Sequence, residues 1–327
     1  MLSLRTNVAR SASEMDRIAP LWNEILKAQP HTLFQSFAWN RLAAEMFRDR
    51  STPYVVWVES DAGAAIIPAT MVHAGNRLEL IGDALFDYRD ALCAGDPELL
   101  QLAWQQVAAC RKPLRVMSVK GPAAQRHWSD FPRSLFANAP RVDRSLINER
   151  GFRLEHSRLG RQIRRLQRLG VSLHIHAGSD SAAIRRLYEC KRRHFAADSG
   201  NLFVDQRRCE FMVAAAALPE SGCEVFTLEN ASGTLAAGLV SFRDGDIRRC
   251  YTIYFHPEWA RHSPGIALLY EVTARSLGDG FSCDYMTGEY SYKLRLANAS
   301  SPLYTVDLSA RELAEIATTP QRVPRVA

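Results

Sequence analysis

The chain has 327 residues, 47% hydrophobic and 23% charged, the proportions of a globular protein with enough material for two domains. Lys and Arg total 41 against 35 Asp and Glu, and segment 150–168 holds seven arginines (Arg150, Arg153, Arg158, Arg161, Arg164, Arg165, Arg168) with one acid, Glu155, so it alone carries the whole formal charge of +6. One basic segment on a neutral body excludes a surface coated for nucleic acid, and the lack of any run of about 18 apolar residues excludes a transmembrane helix.

The opening stretch lacks the apolar core of a secretory signal and carries Glu14 and Asp16 early, so a cytoplasmic location is expected. Helical spacing of Met15, Ile18, Leu21, Trp22 and Ile25 predicts a helix over 14–28, and a second follows over 36–48. Strands are expected from Pro53, over 64–73 and over 77–82, separated by Gly63 and the Gly75-Asn76 turn. A helix over 96–111 and a strand over 114–119 complete this half. In the basic segment, Arg158, Arg161, Arg165 and Arg168 share one helical face and Leu159, Ile163 and Leu166 lie roughly opposite, which predicts an amphipathic helix at the join of two halves.

The second half repeats the order. Helices are expected over 180–196 and 206–217, then strands over 223–228, 234–242 and 247–255, with turns at 230–233 and Asp244-Gly245. A helix over 265–278, a strand over 282–286, a short helical piece near 290–297 and a strand over 302–308 follow. Two α/β domains are therefore expected, 1–150 and 151–327, each a mixed sheet with flanking helices. Trp39, Trp57 and Trp104 read as core residues.

The seven cysteines form no C-x-x-C pair, which argues against disulfide frameworks and zinc ribbons, and His174 and His176 have no third ligand nearby, so no metal is expected. The most informative stretch runs from Tyr251 to Lys293. A strand ends at His256-Pro257, a loop follows, and Ser263-Pro264-Gly265-Ile266-Ala267 opens a helix. Proline fits the first helical position, small residues admit close approach, and the free N–H groups and positive end of the helix suit a pyrophosphate. The same residues also suit a plain helix start after a turn, and Asp284 equally suits a strand end capping the next turn.

The order strand–HPEWA–loop–SPGIALL–helix–strand resembles the acyl-CoA-binding core of the GNAT acetyltransferase superfamily. Asp284-Tyr-Met-Thr-Gly288-Glu-Tyr-Ser-Tyr292-Lys293 is similar to the D-x-x-x-G-x-x-x-Y-K pattern of its CelD-like, FemAB-related group. Phe34-Gln35-Ser36 with Trp39 resembles that group's F-Q-S-x-x-W signature, and Gly82 through Asp87-Tyr88-Arg89-Asp90 its G-x-x-x-x-D-Y-x-D segment. The arginine-rich connecting helix is also typical of the group, and the resemblance runs from about residue 30 to residue 308.

The resemblance implies tandem GNAT-like domains and transfer from acetyl-CoA or another acyl-CoA, without a metal, to a small amine. The acceptor it suggests is an amino sugar or a cell-envelope or exopolysaccharide precursor. The strand Cys250–Phe255 would splay from its neighbour and bind the pantetheine arm. Tyr254, Phe255, Arg261, Ser263, Gly265, Ile266 and Ala267 are the expected acyl-CoA residues. Asp284, Glu289, Lys293 and Tyr292 are the expected catalytic set, a carboxylate taking the amine's proton and a tyrosine (Tyr251, Tyr254, Tyr285 or Tyr292) protonating the thiolate. Asp87, Tyr88 and Asp90 are expected to bind substrate. The phosphate motif departs from the superfamily's [QR]-x-x-G-x-[GA]: His262 stands first and Pro264 removes an N–H donor, with Arg261 or the basic helix left to compensate. The alternatives are a Fem-type aminoacyl transferase using aminoacyl-tRNA, with the basic helix on the RNA, and a non-catalytic GNAT-like binding module.

Overall fold

A computed structural model describes residues 4–148 and 151–318; Arg150 of the basic segment lies outside the described residues. The chain begins with β1 (Arg5–Ala9), α1 (Ala12–Met15), α2 (Ala19–Ala28), α3 (Phe37–Met46), β2 (Ser51–Ser60), β3 (Gly63–Val72), β4 (Arg77–Leu80), β5 (Leu92–Gly95), α4 (Glu98–Ala108), β6 (Leu114–Lys120) and α5 (Gly121–Arg126). It continues with β7 (Ser134–Val142), α6 (Phe152–Glu155), α7 (Ser157–Arg168), β8 (Ser172–Ala177), α8 (Ser181–His194), α9 (Gln206–Ala216), β9 (Cys223–Glu229), β10 (Leu235–Asp244), β11 (Ile247–Phe255), α10 (Pro264–Gly278), β12 (Ser282–Asp284) and α11 (Ser291–Leu294). It ends in β13 (Ala299–Leu308) and α12 (Ala310–Thr318).

Two compact units result, one of residues up to Ala137 together with Pro302 onward, the other Asn138–Ser301. The sequence placed the cut at 150 and gave the C-terminal segment to the second half. The difference has a local cause. β13 pairs antiparallel with β6 from Leu303↔Lys120 to Leu308↔Leu114, so residues beyond 301 complete the first sheet. Arg141 and Val142 of β7 pair with Asp284 and Cys283 of β12, so this linker strand completes the second.

Each unit follows one plan. In the first, the strand order is β1-β2-β3-β4-β6-β13, with β5 added on β3; β4 and β6 run parallel and the other pairs antiparallel. In the second it is β8-β9-β10-β11-β12-β7, with β11 and β12 parallel. A strand, two or more helices, a three-strand meander, a crossover helix and a parallel strand thus occur twice. α4 turns Leu99, Leu100, Ala103, Trp104 and Val107 onto the first sheet, where Trp104, Trp128 and Phe131 pack with ring centroids 5.0–5.3 Å apart. Trp39 and Trp104 are buried as expected, whereas Trp57 is half-buried. The second core gathers around α10 and includes Leu166 of α7, with Leu159 and Ile163 packed against it.

Candidate functional site

The second sheet opens at one end. β11 and β12 keep parallel register at Ile247↔Ser282, Arg248↔Cys283 and Arg249↔Asp284. Beyond Asp284 the chain follows β7 instead, Tyr285 N–H donating to the Pro140 carbonyl at 3.0 Å and Gly288 N–H to the Asn138 carbonyl at 2.9 Å. Cys250–Phe255 therefore diverges from β12. The register on the other side shifts as well, from Val240↔Thr252 to Ser241↔Cys250, which makes Tyr251 the extra residue of a bulge and re-aims the strand's end. Lys191 of α8 donates its Nζ to the Ile253 carbonyl at 2.9 Å, and burial pushes its ammonium pKa down.

At the open end α10 begins. Ser263 adopts a left-handed conformation (φ 44°) before Pro264 at the first helical position. The side chain of Gln162 on α7 holds the preceding turn through the His262 carbonyl at 2.9 Å. Arg158, Arg161 and Arg165 of α7, with Arg295, Ser263 and Ile266, line a cleft of about 690 Å³. Among the described residues these three arginines have no carboxylate within 4.0 Å, and all are exposed. Guanidinium groups and a helix N-terminus both attract anions, and Glu155 is the one acid among the residues that line this cleft.

The expected acyl-CoA residues divide accordingly. Ser263 and Ile266 line this cleft. A Cβ on Gly265 would sit 3.5 Å from the Phe255 Cβ, an ordinary contact, so the glycine is not demanded by the protein's own packing. Phe255 is partly exposed at the strand end, and the Arg261 side chain turns onto His262 Nε2 at 3.1 Å. Ala267 is fully buried in the core, so its small side chain serves packing. Tyr254 is also buried and faces α8, its hydroxyl 2.6 Å from His194 Nδ1.

The residues after β12 are mostly occupied. Asp284 is buried, with Oδ2 2.8 Å from Arg249 Nη1 and Oδ1 accepting from Met286 N–H at 2.8 Å. The same Arg249 binds Asp244. Both oxygens of this carboxylate are thus engaged, and its cap on Met286 ends the strand at 284 rather than at 286. Lys293 is buried as well. It donates to the Thr287 carbonyl at 2.7 Å and the Met286 carbonyl at 3.3 Å and lies 5.2 Å from the Tyr290 ring centre, so it straps the loop of the motif. Lys293→Met, which removes these donors, is expected to cost about 1–3 kcal/mol, read as a lower urea midpoint. Glu289 is exposed and accepts from Asn138 Nδ2 at 2.9 Å. Tyr292 is half-buried against Tyr290, and burial foremost, then Tyr290, pushes its phenol pKa up.

In the first unit, the two N-terminal signatures meet. Gln35 Nε2 donates to the Tyr88 carbonyl at 2.5 Å, and Phe34 packs on Trp39, Phe86 and Tyr88 with centroids 5.6–5.9 Å apart. Tyr88 is 1% exposed, is held at φ 54°, and has Lys120 over its ring. Asp90 is buried, its Oδ1 accepting from Trp128 Nε1 at 3.0 Å and lying 2.9 Å from His127 Nδ1. Tyr88 and Asp90 thus hold the fold rather than face a substrate, because both are shut in by these partners. Asp87 beside them is half-buried and also engaged.

The sequence missed three residues that the structure brings to the splayed strand: Lys191 and His194 on α8 and His256 at the end of β11. The His194 and His256 rings meet edge to face at 4.5 Å. For Lys191 and His194 the sequence signal is the basic run at the end of α8, which also reads as ordinary complement to a helix dipole, and His256 was read only as the end of a strand. His174 and His176 lie 6.5 Å apart, His176 being tied to Asp180 and Thr227. Among the described residues no three metal-ligating side chains converge.

Residues 155–294 match the family described as acetyltransferase (GNAT) domain. The second unit is a GNAT domain. Whole-chain comparisons give the tandem GNAT fold. The C-terminal domain of a putative lysylphosphatidylglycerol synthetase from Agrobacterium fabrum matches with TM-score 0.61 at 11% identity, over 92% of this chain and 95% of that one. A tandem GNAT protein from the clavulanic acid biosynthesis pathway matches with TM-score 0.52 at 12% identity, over 98% and 100%. FemX matches with TM-score 0.56 at 10% identity, over 96% and 100%. No curated protein matches the sequence. Within the GNAT domain, α7 is the helix whose arginines border the N-terminus of α10, and no helix among the described residues is long and apolar enough to cross a membrane.

Proposed function

We propose that the GNAT domain transfers an acyl group from acyl-CoA, acetyl-CoA being the first candidate, to a small amine. The observation that carries this reading is the junction of the splayed strand β11 with the N-terminus of α10 and the unpaired arginines of α7. The splay exposes strand edge for an amide-bearing arm, and the cleft offers cations for a pyrophosphate. Arg158, Arg161 and Arg165 supply the charge that Pro264 takes away by removing a donor. Glu289 and Tyr292 stay in the proposal as residues near the acceptor, Lys293 and Asp284 as the frame of their loop. An amino sugar or another envelope-precursor amine is the acceptor class the resemblance favours, in the cytoplasm where acyl-CoA is made.

Calorimetric titration with acetyl-CoA tests the donor. Replacing Arg158, Arg161 and Arg165 together by Gln is expected to weaken binding about 100-fold at low salt, if the three contribute about 1 kcal/mol each to the anion. Gly265→Ala should bind as the wild type does and Gly265→Trp should not. Absence of binding by any acyl-CoA would discard the reading. A second reading, transfer from aminoacyl-tRNA, draws on Arg164 and Arg168, which extend the basic face of α7 outside that cleft. It requires tRNA retention that falls steeply with added salt.

A further inference from the structure

The end of α8 and the end of β11 bring a histidine, a tyrosine and a cysteine together. Tyr254 Oη lies 2.6 Å from His194 Nδ1, and the two rings stack at 5.9 Å with 19° between their planes. The Cys190 thiol, one helical turn before His194 on α8, stands near the Tyr254 hydroxyl. A phenol has one proton to give and can accept others. With the Tyr254 proton directed to the Cys190 sulfur, Oη accepts from His194 Nδ1–H. In that arrangement Nε2 carries the lone pair. His194 is half-buried, and Nε2 has no hydrogen-bond partner among the described residues.

His256, the other imidazole here, is turned to another task. Its Nδ1 caps the following turn by accepting from Glu258 N–H at 3.3 Å. Lys191, one residue beyond Cys190, is anchored on the Ile253 carbonyl. Among the described residues His194 Nε2 is thus an unpartnered ring nitrogen on a half-buried side chain beside the splayed end of β11, while the unpartnered Nδ1 of His262 is itself buried before α10.

We propose that His194 is the catalytic base of the acyl transfer, with Tyr254 as the positioning residue that holds its tautomer and ring plane. The inference rests on the acyl-CoA reading above. As the amine nitrogen bonds to the thioester carbonyl carbon, its proton passes to His194 Nε2. The C–S bond then breaks, the CoA sulfur leaves as a thiolate, and the imidazolium returns the proton to that sulfur. Products are the amide and free CoA thiol, and His194 ends neutral.

The surroundings suit this role. Burial, then His256 and Arg193, push the His194 pKa below the usual imidazole value, against the opposing pull of Glu258. Burial and Cys190 push the Tyr254 phenol up, so it stays protonated through the working range. Arg193 and Arg186 face the Cys190 side, while Glu189 stands near that thiol. A base with a lowered pKa is fully available above it, and activity is lost as pH falls through it. The acid limb of the rate profile should therefore lie below about pH 6.5.

The test uses hydrolysis of acetyl-CoA by the full chain without any amine, water standing in for the acceptor, followed as release of free thiol. His194→Ala is expected to slow turnover about 100-fold or more, to leave the KM for acetyl-CoA within about twofold, and to recover with added imidazole. Tyr254→Phe should keep measurable turnover but move the acid limb. The inference falls if folded His194→Ala matches the wild type in rate and pH limb, or if it is slow and imidazole does not restore it. It falls too if the wild type binds acetyl-CoA yet hydrolyses it no faster than buffer. Failure to bind acetyl-CoA at all instead overturns the donor reading, and this inference with it.

Discussion

Arg249→Ala is expected to lower the stability of the GNAT domain by about 3–5 kcal/mol, the cost of breaking a buried ion pair by removing one partner. The side chain of Arg249 is 2% exposed and joins Asp244 to Asp284, both largely buried. Without it the carboxylates of Asp244 on β10 and Asp284 on β12 both lose their guanidinium partner, at the point where β11 and β12 begin to part. Asp244 and Asp284 cannot both be satisfied by the single ammonium of lysine, so Arg249→Lys should recover only part of the loss. The measurement is the urea midpoint, with near-ultraviolet circular dichroism to show whether the aromatic residues beyond Asp284 lose their fixed packing. A variant that melts like the wild type would mean that the strand junction is held by other contacts. It would also free Asp284 to be reconsidered as an acid or base.

The counterpart in the first unit is Asp90→Ala. Its carboxylate is the partner of both His127 Nδ1 and Trp128 Nε1, and all three residues are buried. Truncation leaves two buried polar atoms without an acceptor, at about 1–3 kcal/mol each, so a loss of about 2–6 kcal/mol is expected. Asp90→Asn keeps an acceptor oxygen and should lose much less. The same pair of variants decides between frame and substrate contact. A frame residue gives stability that follows the hydrogen bonds, with the activity of folded Asp90→Asn preserved. A substrate contact would show itself as an Asp90→Asn protein that melts normally and fails to turn over.

Much of the architecture was readable where a local signal and a tertiary one agree. α8, α9, β9, β10, β11 and α10 stand close to their expected bounds, because apolar spacing, the 230–233 turn and the Asp244-Gly245 turn act over a few residues. β1, β5, β7 and β8 were not assigned. β1 and β8 are largely exposed and therefore carry little apolar alternation, and β7 owes its existence to the pairing with β12. β13 was expected as the last strand of the second half, but only its pairing with β6 shows which sheet it completes. Nothing local to 302–308 records that.

The candidate site divides in the same way. The basic helix was legible as amphipathic, and its arginines reach the N-terminus of α10 through a fold that brings residues about 100 positions apart together, as Gln162 and His262 show. The functional letters of the motifs were less transparent. Asp284, Lys293, Tyr88 and Asp90 match patterns in the sequence, yet their side chains are spent on Arg249, on the 286–287 carbonyls, on packing and on His127 with Trp128. A motif records that a residue type is required, and a strap or a buried ion pair requires it as strictly as chemistry does. His194 belonged to no motif, because its meaning lies in Tyr254, 60 residues onward.

The pairing of β13 with β6 also sets an order of events during synthesis. Strands β1 to β6 of the first unit are made first, but β6 gains its antiparallel neighbour only when residues up to Leu308 have left the ribosome. The GNAT domain, contained within Asn138–Ser301, has all its strands before then. The unit begun first is thus the one finished last. Until then β6 is an open sheet edge in a nascent chain, the kind of surface on which chaperones and unwanted strand pairing compete.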